Sequence, residues 1–348
     1  MKKSQWQLIL LSVTLLATAC KKTASPDPVP PPVVIAPPPD LGFKVVGYFP
    51  SYRNPASVPD IKFRMTNVVN YAFARVNAAG SLAVESPSTF NAVIAKAKSN
   101  NAKIFLSIAG THADFTFIAS TATSRNNFIK DVMNLVRSYQ LHGVDMDWEF
   151  PRTSDGTDIT YTALMKELSD SCHRDSKYYL TAAITAGKYA GAVRDAIRSE
   201  LFSYVDWFNI MAYDDFNTTV PYRHHSDLTL AQVCLNYWIG TRGMPKNKAV
   251  LGIPAYGRPS GITQDNTTLS YATILSQGGN PQYDSAIVTA SGYPSPFTIY
   301  YNGQATVKKK AMLAKTAGNG VMMWEKGQDT HDGTSLLRAA CDTVGKPY

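Results

Sequence analysis

From residue 43 onward, short apolar runs rich in β-branched residues alternate with stretches in which apolar residues recur every three or four positions. The first pattern predicts buried strands, and the second predicts amphipathic helices. Strands that alternate with helices pair in parallel, through right-handed crossovers. The predicted strands are Lys44–Phe49, Asn67–Ala74, Lys103–Ile108, Gly143–Glu149, Tyr178–Thr185, Val205–Tyr213, Ala249–Tyr256 and Gly320–Trp324.

Eight strand–helix units over residues 43–348 predict the α/β class and, within it, a (β/α)8 TIM barrel. The alternative is an open, doubly wound sheet, whose marker would be a phosphate-binding G-x-G-x-x-G after the first strand. Residues 47–50 read Gly-Tyr-Phe-Pro and lack that motif. Between Arg258 and Gly303 the chain is rich in Gly, Pro, Ser and Asn, which predicts at most a small insertion after strand 7 and a shallow groove.

The N-terminal segment has a different composition. A basic start precedes the apolar run Leu8–Ala19, which is shorter than the ~20 residues that span a bilayer and is typical of a signal peptide. Small residues then lead to Cys20 and resemble a bacterial lipobox, in which the cysteine is lipidated; the alternative is an ordinary signal peptide with a chance cysteine. The following residues are rich in proline, which predicts a stiff spacer.

We therefore expect a lipoprotein signal peptide at 1–20, a linker at 21–42 and one folded domain at 43–348. A lipid on Cys20 would hold the exported protein on a membrane of the bacterial cell envelope, periplasmic or surface-exposed. The remaining cysteines match no zinc or redox spacing. We expect buried free thiols, rather than one disulfide and one free thiol, at Cys172, Cys234 and Cys341.

The charge balance is basic, with 34 Lys and Arg against 26 Asp and Glu, for a net charge of +8. Four lysines and two aspartates lie in the first forty residues, so the remainder of the chain keeps +6. The longest basic run in that remainder is Lys308-Lys309-Lys310, which predicts a solvated helix face. We therefore expect no nucleic-acid partner.

The fourth predicted strand carries three acids at alternate positions, Asp145, Asp147 and Glu149. Alternate residues of a strand share one face, so the three carboxyls would point into the barrel lumen about 6.6 Å apart. Crowded carboxyls raise one another's pKa, so one of them should keep its proton near neutral pH. A protonated acid at the C-terminal mouth of a barrel strand is a candidate general acid.

The alternative interpretations of this strand are a buried acid ladder and a cation site. A metal site would need histidines or further acids on strands three and five, which offer none. We expect neither a metal nor a cofactor. The apolar residues at the intervening positions, Trp148 among them, should pack under the helices.

These residues resemble the strand-four signature D-x-x-D-x-D-x-E of glycoside hydrolase family 18, the chitinases. Five further segments resemble family motifs in the family's order, and the resemblance covers residues 43 to about 345. Two positions depart from the pattern: His142 replaces the first aspartate, and Ala109 replaces a glycine. We expect His142 to be a satisfied polar residue at a strand start and Ala109 to tighten the floor near Asp145. The further segments are Asn70–Ala74, Ser107–Gly110, Met211–Asp214, Gly252–Arg258 and Met323–Glu325.

The resemblance implies a role for each catalytic candidate. Glu149 would protonate the glycosidic oxygen and then act as the base for water, while the substrate's own 2-acetamido oxygen attacks. Asp147 would orient the acetamido group, and Asp145 would share a proton with Asp147. Tyr213 would donate to the acetamido carbonyl. The other implied site residues are Asp214 (sugar or acid contact), Trp324 (sugar floor), Ser107 and Tyr48 (Asp145 network), Met211, Phe73 and Tyr256, with non-proline cis peptides at Ala72–Phe73 and Trp324–Glu325.

The function implied is retaining hydrolysis of β-1,4-N-acetylglucosamine linkages in chitin or chito-oligosaccharides. Two alternatives use the same fold: an endo-β-N-acetylglucosaminidase that acts on N-glycan cores, and a non-catalytic chitin-binding lectin. The partner would be an N-acetylglucosamine-containing glycan, and we expect a monomer.

Overall fold

The computed structural model of the chain describes residues 34–174, 176–260, 268–293 and 296–348. The expected signal peptide, Cys20 and the linker residues 21–33 lie outside the described residues.

Eight parallel strands in the described ranges form a barrel that closes on itself. Each strand pairs with the next, and the last pairs with the first, Lys44 lying opposite Gly320. The predicted (β/α)8 TIM barrel is therefore confirmed. The barrel strands are β1 (Lys44–Pro50), β2 (Val68–Val76), β3 (Lys103–Ala109), β4 (Gly143–Asp147), β5 (Tyr179–Thr185), β6 (Trp207–Met211), β7 (Ala249–Pro254) and β8 (Gly320–Trp324).

The helices surround the barrel and cover it with apolar faces. In the helix Ala122–Ser138, a capping box between Thr121 and Ser124 provides hydrogen-bond acceptors for backbone N–H groups at the helix start. The buried face of this helix includes Phe128 and Val132, which are four residues apart. The helices are α1 (Asp60–Arg64), α2 (Pro87–Ser99), α3 (His112–Ala119), α4 (Ala122–Ser138), α5 (Thr157–Cys172), α6 (Ala192–Asp195), α7 (Leu201–Tyr204), α8 (Leu228–Leu235), α9 (Tyr271–Ser276), α10 (Gln304–Ala317) and α11 (Leu336–Val344).

The period of two along each strand divides the core into two layers. On β1, Val45 and Phe49 pack against the helices, whereas Val46 and Tyr48 point into the lumen. On β4, Val144 and Met146 belong to the outer layer, so Asp145 and Asp147 are directed inward. Trp148 continues the outer set: it is buried, and its ring lies 5.0 Å from that of Phe115 on α3.

An insertion follows β7, as the sequence predicts. Short antiparallel strands and α9 form a small layer before α10 begins. A further strand, Leu82–Val84, pairs as a hairpin with the end of β2. The insertion strands are Tyr256–Pro259, Leu269–Ser270, Ser285–Val288 and Phe297–Tyr300.

Three predicted strands end earlier than expected, and each shortfall lies at the C-terminal end of the barrel. β4 ends at Asp147, β6 at Met211 and β7 at Pro254, so Glu149, Tyr213 and Tyr256 lie beyond the barrel ladder. After β6 the backbone turns, with Ala212 N bonded to Ile210 O at 2.8 Å and Tyr213 N to Met211 O at 2.9 Å. Side chains continue to alternate between the two faces past the last hydrogen bond of the ladder. The sequence pattern therefore overestimates the length of these strands.

The prediction that Lys308-Lys309-Lys310 forms a solvated helix face is wrong for Lys310. Lys308 and Lys309 are exposed, but Lys310 is fully buried on the inner face of α10. Its Nζ donates to Ser226 O, Ser226 Oγ and Asn302 Oδ1, each at 2.7 Å. Burial lowers the pKa of Lys310 to about 7.

The three cysteines of the folded domain are buried free thiols, as expected: Cys172, Cys234 and Cys341. Among the helices that the structure describes, none combines the length and the apolar character needed to cross a membrane.

Candidate active site

The deepest part of the site is a hydrogen-bonded carboxylate at the centre of the lumen. Asp145 Oδ2 accepts from Tyr48 OH at 2.5 Å and from Ser107 Oγ at 2.8 Å. Its Oδ1 accepts from Thr181 Oγ1 at 2.6 Å and from Asn209 Nδ2 at 3.0 Å. Burial raises the pKa of Asp145, and these bonds oppose the rise because they favour the charged form. The contacts implied for Ser107 and Tyr48 are present.

Asp147 lies above Asp145 and is only 5% exposed. Burial raises its pKa well above the ordinary value, and the negative charges of Glu149 and Asp145 add to the rise. A hydrogen bond to Glu149 acts in the same direction. Its Oδ1 is buried and has no hydrogen-bond partner in the described part of the chain. The raised pKa favours the protonated form of Asp147, and its hydrogen-bond partner is Glu149, whereas Asp145 acts on it through charge alone.

Glu149 lies at the mouth of the barrel, and its side chain is exposed to the groove. Desolvation by the surrounding protein raises the pKa of Glu149, and the hydrogen bond from Asp147 opposes that rise. The charge of Asp214 raises this pKa, and the charge of Arg75 lowers it. The result is an accessible carboxyl that holds a proton at higher pH than an ordinary glutamate.

A cavity of about 170 Å3 brings these groups together. It continues past Glu149 into a second cavity of about 300 Å3 that Lys188 and Tyr189 also line. The residues that line the smaller cavity are Tyr48, Asp147, Glu149, Ala183, Met211, Tyr213, Asp214, Tyr256 and Trp324.

Aromatic rings form the apolar wall of the smaller cavity. The Trp324 ring lies 5.3 Å from Tyr48 edge to face and 5.8 Å from Phe73 in a stacked arrangement. Phe73 thus packs against the Trp324 ring and is not itself among the residues that line the cavity. Burial raises the pKa of Tyr213 well above its ordinary value, and the charges of Asp214 and Asp147 add to this. Tyr213 therefore stays neutral and is available as a hydroxyl donor.

Asp214 is held by partners from distant parts of the chain. Its Oδ1 accepts from Tyr256 OH at 2.7 Å and from Arg258 Nε at 2.5 Å, while Arg258 Nη2 donates to Oδ2 at 3.1 Å. His225 Nδ1 lies 3.5 Å from Oδ1. Burial works to raise the pKa of Asp214, but His225 and Arg258 hold it well below its usual range. Asp214 is therefore a fixed negative charge beside Glu149.

Sequence reasoning missed several of these residues. Thr181 and Asn209 complete the shell around Asp145, and their signal was a polar residue at an inward position of an otherwise apolar strand. Arg258 was noticed only as part of a motif, without a role. His225 had no recognisable signal, because it lies in an irregular segment and acts through Asp214.

The two departures from the family pattern lie in different places. His142 is at the far end of the barrel, where its Nδ1 accepts from Ile104 N at 3.2 Å, which confirms a satisfied residue at a strand start. Ala109 is the last residue of β3 and lies opposite Asp147, rather than near Asp145 as expected. The implied cis peptides are present at Ala72–Phe73 and Trp324–Glu325, and another lies at Glu149–Phe150.

Comparisons with known proteins agree with this geometry. Residues 44–329 match the family model described as Glycosyl hydrolases family 18. A class V chitinase from Arabidopsis thaliana is 30% identical over 339 residues, covering 83% of this chain and 88% of the relative. A solved structure of the GH18 chitinase ChiB from Flavobacterium johnsoniae is 27% identical, with a TM-score of 0.70, over 87% of this chain and 94% of that one. A GH18 chitinase from Cycas revoluta, solved in complex with (GlcNAc)3, is 25% identical with a TM-score of 0.73, over 87% and 100%.

Proposed function

Because the chain belongs to family 18 of the glycosyl hydrolases, we propose that this glycoside hydrolase cleaves β-1,4 linkages between N-acetylglucosamine units of chitin or chito-oligosaccharides. The anomeric configuration is retained, and the substrate's 2-acetamido group is the nucleophile. Support for the substrate comes from the (GlcNAc)3 complex of the Cycas revoluta relative.

The arrangement of Asp147 and Glu149 is the observation that carries the proposal. Glu149 is exposed at the mouth of the barrel with a raised pKa, so it can hold the proton that a leaving glycosidic oxygen needs. Directly below it, Asp147 is buried with its own pKa raised further. Two coupled carboxyls, one accessible and one enclosed, suit an acid that must later act as a base.

Among the residues that the structure describes, no other carboxyl near Glu149 is free to act as a nucleophile. Burial and neighbouring charges raise the pKa of Asp147, which favours its protonated, non-nucleophilic form. Both oxygens of Asp214 accept hydrogen bonds from Arg258 or Tyr256. Both oxygens of Asp145 are occupied at the bottom of the lumen. The lack of a free carboxylate beside Glu149 supports attack by the acetamido oxygen of the substrate.

The first step forms a bond between the acetamido carbonyl oxygen and the anomeric carbon. The glycosidic C–O bond breaks, and its oxygen takes the proton of Glu149. The resulting oxazolinium ion carries positive charge, and Asp147 accepts a hydrogen bond from its N–H through a carboxyl oxygen, which orients the ring and disperses that charge. Tyr213 orients the acetamido carbonyl, and Trp324 supports the apolar face of the sugar.

The second step restores the enzyme. Water attacks the anomeric carbon, the bond to the acetamido oxygen breaks, and Glu149 takes the proton of the water. Two displacements at one carbon leave the product with the configuration of the substrate.

Product analysis on chitin tetramers to hexamers tests this proposal. We expect mass spectrometry to show shorter chito-oligomers and proton NMR to show the β-anomer as the first product. Glu149→Gln should lower kcat on the order of 10²–10⁴-fold, whereas Glu200→Gln, an exposed carboxyl paired with Arg198, should change little.

Two results would contradict the assignment. Full activity of Glu149→Gln would remove the proposed acid, and an initial α-anomer would exclude retention. Release of glycan from a high-mannose glycoprotein without any cleavage of chito-oligomers would instead assign the endo-β-N-acetylglucosaminidase activity.

We also propose that lipid on Cys20 anchors the protein to the bacterial cell envelope as an exported monomer. The support is the order of basic start, apolar run, small residues and cysteine, followed by a proline-rich spacer. Metabolic labelling with a radioactive fatty acid should mark the wild type but not Cys20→Ser, and labelling of both would contradict the assignment.

A further inference from the structure

A cleft lies at the end of the barrel opposite the active site. Its volume is about 730 Å3, larger than that of either cavity beside Glu149. It is lined at the N-terminal ends of the barrel strands, where Lys103 begins β3 and His142 directly precedes β4. The carboxyl ends of the same strands carry the catalytic groups, so the cleft plays no part in the proposed reaction.

The charged side chains that line the cleft in the described ranges are all cationic, and the α-carboxylate of Tyr348 lies beside them. Arg64, Lys98, Lys103 and Lys346 line the cleft, and no aspartate or glutamate side chain does so within the described ranges. None of the four cations forms an ion pair with another described residue. Arg64 donates to the neutral Asn100 Oδ1 at 3.2 Å, and Lys98 donates to Tyr139 O at 3.4 Å.

Helix ends explain only part of this charge. Arg64 and Lys98 lie in the last turns of α1 and α2, where a cation interacts favourably with the helix dipole. Lys103 and Lys346 lie outside helices, so that explanation does not extend to them. Burial lowers the pKa of His142, and the charges of Lys103 and Lys98 lower it further, so the positive field reaches the wall of the cleft.

The N-terminal segment enters the barrel at the same end. Ala36 N bonds to His173 O at 3.1 Å, and Tyr179 OH donates to Pro39 O at 2.7 Å at the start of β5. Leu41, a few residues further on, lines the cleft itself. Thirteen residues separate Cys20 from the first described residue, Val34, in the sequence.

We propose that this end of the barrel is a docking surface for an anionic phospholipid membrane, with lipid phosphates received in the cationic cleft. The polypeptide reaches the domain at the docked end, and the catalytic groove at the other end faces away from the lipid. Electrostatic attraction of this kind is short-ranged and weakens with salt. It needs no lipid on Cys20, although an anchor there would keep the surface within reach of the membrane.

Vesicle co-sedimentation of the full chain tests the proposal, with Cys20→Ser present throughout so that lipidation plays no part. The vesicles are phosphatidylcholine alone or phosphatidylcholine with one third phosphatidylglycerol. The test variant combines Arg64→Gln, Lys98→Gln and Lys346→Gln. Lys103 is left in place because its Nζ lies 5.6 Å from the centre of the Tyr179 ring.

The matched control removes three exposed cations elsewhere, through Lys130→Gln, Lys308→Gln and Lys309→Gln. Both variants have the same net charge. We expect tight binding only to the anionic vesicles, on the order of a hundredfold weaker for the test variant and close to wild type for the control. Hydrolysis of chito-oligomers by both variants should match that of the wild type, which shows that both fold.

Three outcomes overturn the proposal: equal loss of binding in both variants, equal binding of wild type to neutral and anionic vesicles, and binding to soluble heparin without binding to vesicles. The last would assign the cleft to a soluble polyanion. Each of these failures leaves hydrolysis untouched and is therefore distinct from a failure of the proposed function.

Discussion

Neighbouring charges set the proton affinity of Glu149, and two of them act in opposite directions. Asp214 raises the pKa of Glu149 and Arg75 lowers it. As the general acid, Glu149 must be protonated in the free enzyme, so activity falls as pH rises through its pKa. This fall in activity is the alkaline limb of the pH–rate profile, and its position reports the pKa of Glu149.

Replacing these two charges should move the alkaline limb of kcat/KM in opposite directions. Asp214→Asn removes a charge that raises the pKa of Glu149, so the limb should move to lower pH. Arg75→Gln removes a charge that lowers it, so the limb should move to higher pH. Rate measurements across pH on a chito-oligomer check this, and a shift of both variants in the same direction would refute it.

Tyr213 provides a separate prediction. It lines the smaller cavity, and its raised pKa keeps the hydroxyl protonated. Tyr213→Phe removes one donor to the acetamido oxygen without changing the shape of the ring, so kcat should fall on the order of a hundredfold. Steady-state kinetics, with circular dichroism to check the fold, measure this; unchanged kcat would show that Tyr213 makes no such contact.

The sequence identified the acidic residues of the site more completely than the residues that hold those acids in place. Asp145, Asp147 and Glu149 could be found because alternation along one strand places them on one face. His225 and Arg258 could not be assigned, since their effect depends on contacts with Asp214 made across the fold. Nothing local in the sequence records such contacts.

At the level of elements, the start of each strand could be predicted more reliably than its end. Strands begin where a polar segment gives way to an apolar run, and this change is visible in the sequence. They end at the barrel mouth where ladder bonds stop, although inward and outward positions still alternate. Glu149, Tyr213 and Tyr256 lie beyond those ends, which gives them freedom to meet over the lumen.

The packing of α4 gives a prediction on stability. Phe128 is 1% exposed in the layer between helices and barrel. Phe128→Ala should reduce the free energy of unfolding by about 3–5 kcal/mol, because it removes apolar contact and leaves a cavity. Urea unfolding measures this against Lys130→Ala on the exposed face of α4, and equal stability of the two variants would contradict the packing.

Lys310 on α10 predicts a pH dependence of stability. Burial lowers its pKa in the folded protein to about 7, whereas lysine in an unfolded chain titrates near ~10.4. Between these values the unfolded state binds more protons, so stability should rise with pH.

Comparison with Lys310→Gln isolates this effect. From pH 7 to pH 10, wild type should gain roughly 3–4 kcal/mol of stability relative to Lys310→Gln. Lys309→Gln, its exposed neighbour on the same helix, should follow the wild type. Parallel curves for wild type and Lys310→Gln in urea unfolding would show that Lys310 is not buried in the neutral form.

At the scale of the whole molecule, the two ends of the barrel carry different chemistry. The C-terminal end holds coupled acids and aromatic rings, and the N-terminal end holds a cationic cleft. The net charge of +8 was visible in the sequence, but the grouping of four cations in this cleft was not. Arg64 lies on α1, Lys98 lies on α2 and Lys346 follows α11, and only the closed barrel brings them together.

Partially deacetylated chitosan tests the central claim most directly, because attack by the substrate's acetamido group requires that group on the sugar being cleaved. Cleavage products are labelled at their new reducing ends and sequenced by mass spectrometry. We predict N-acetylglucosamine at every new reducing end, whatever the degree of deacetylation. Glucosamine at those ends in proportion to its content in the polymer would contradict the mechanism.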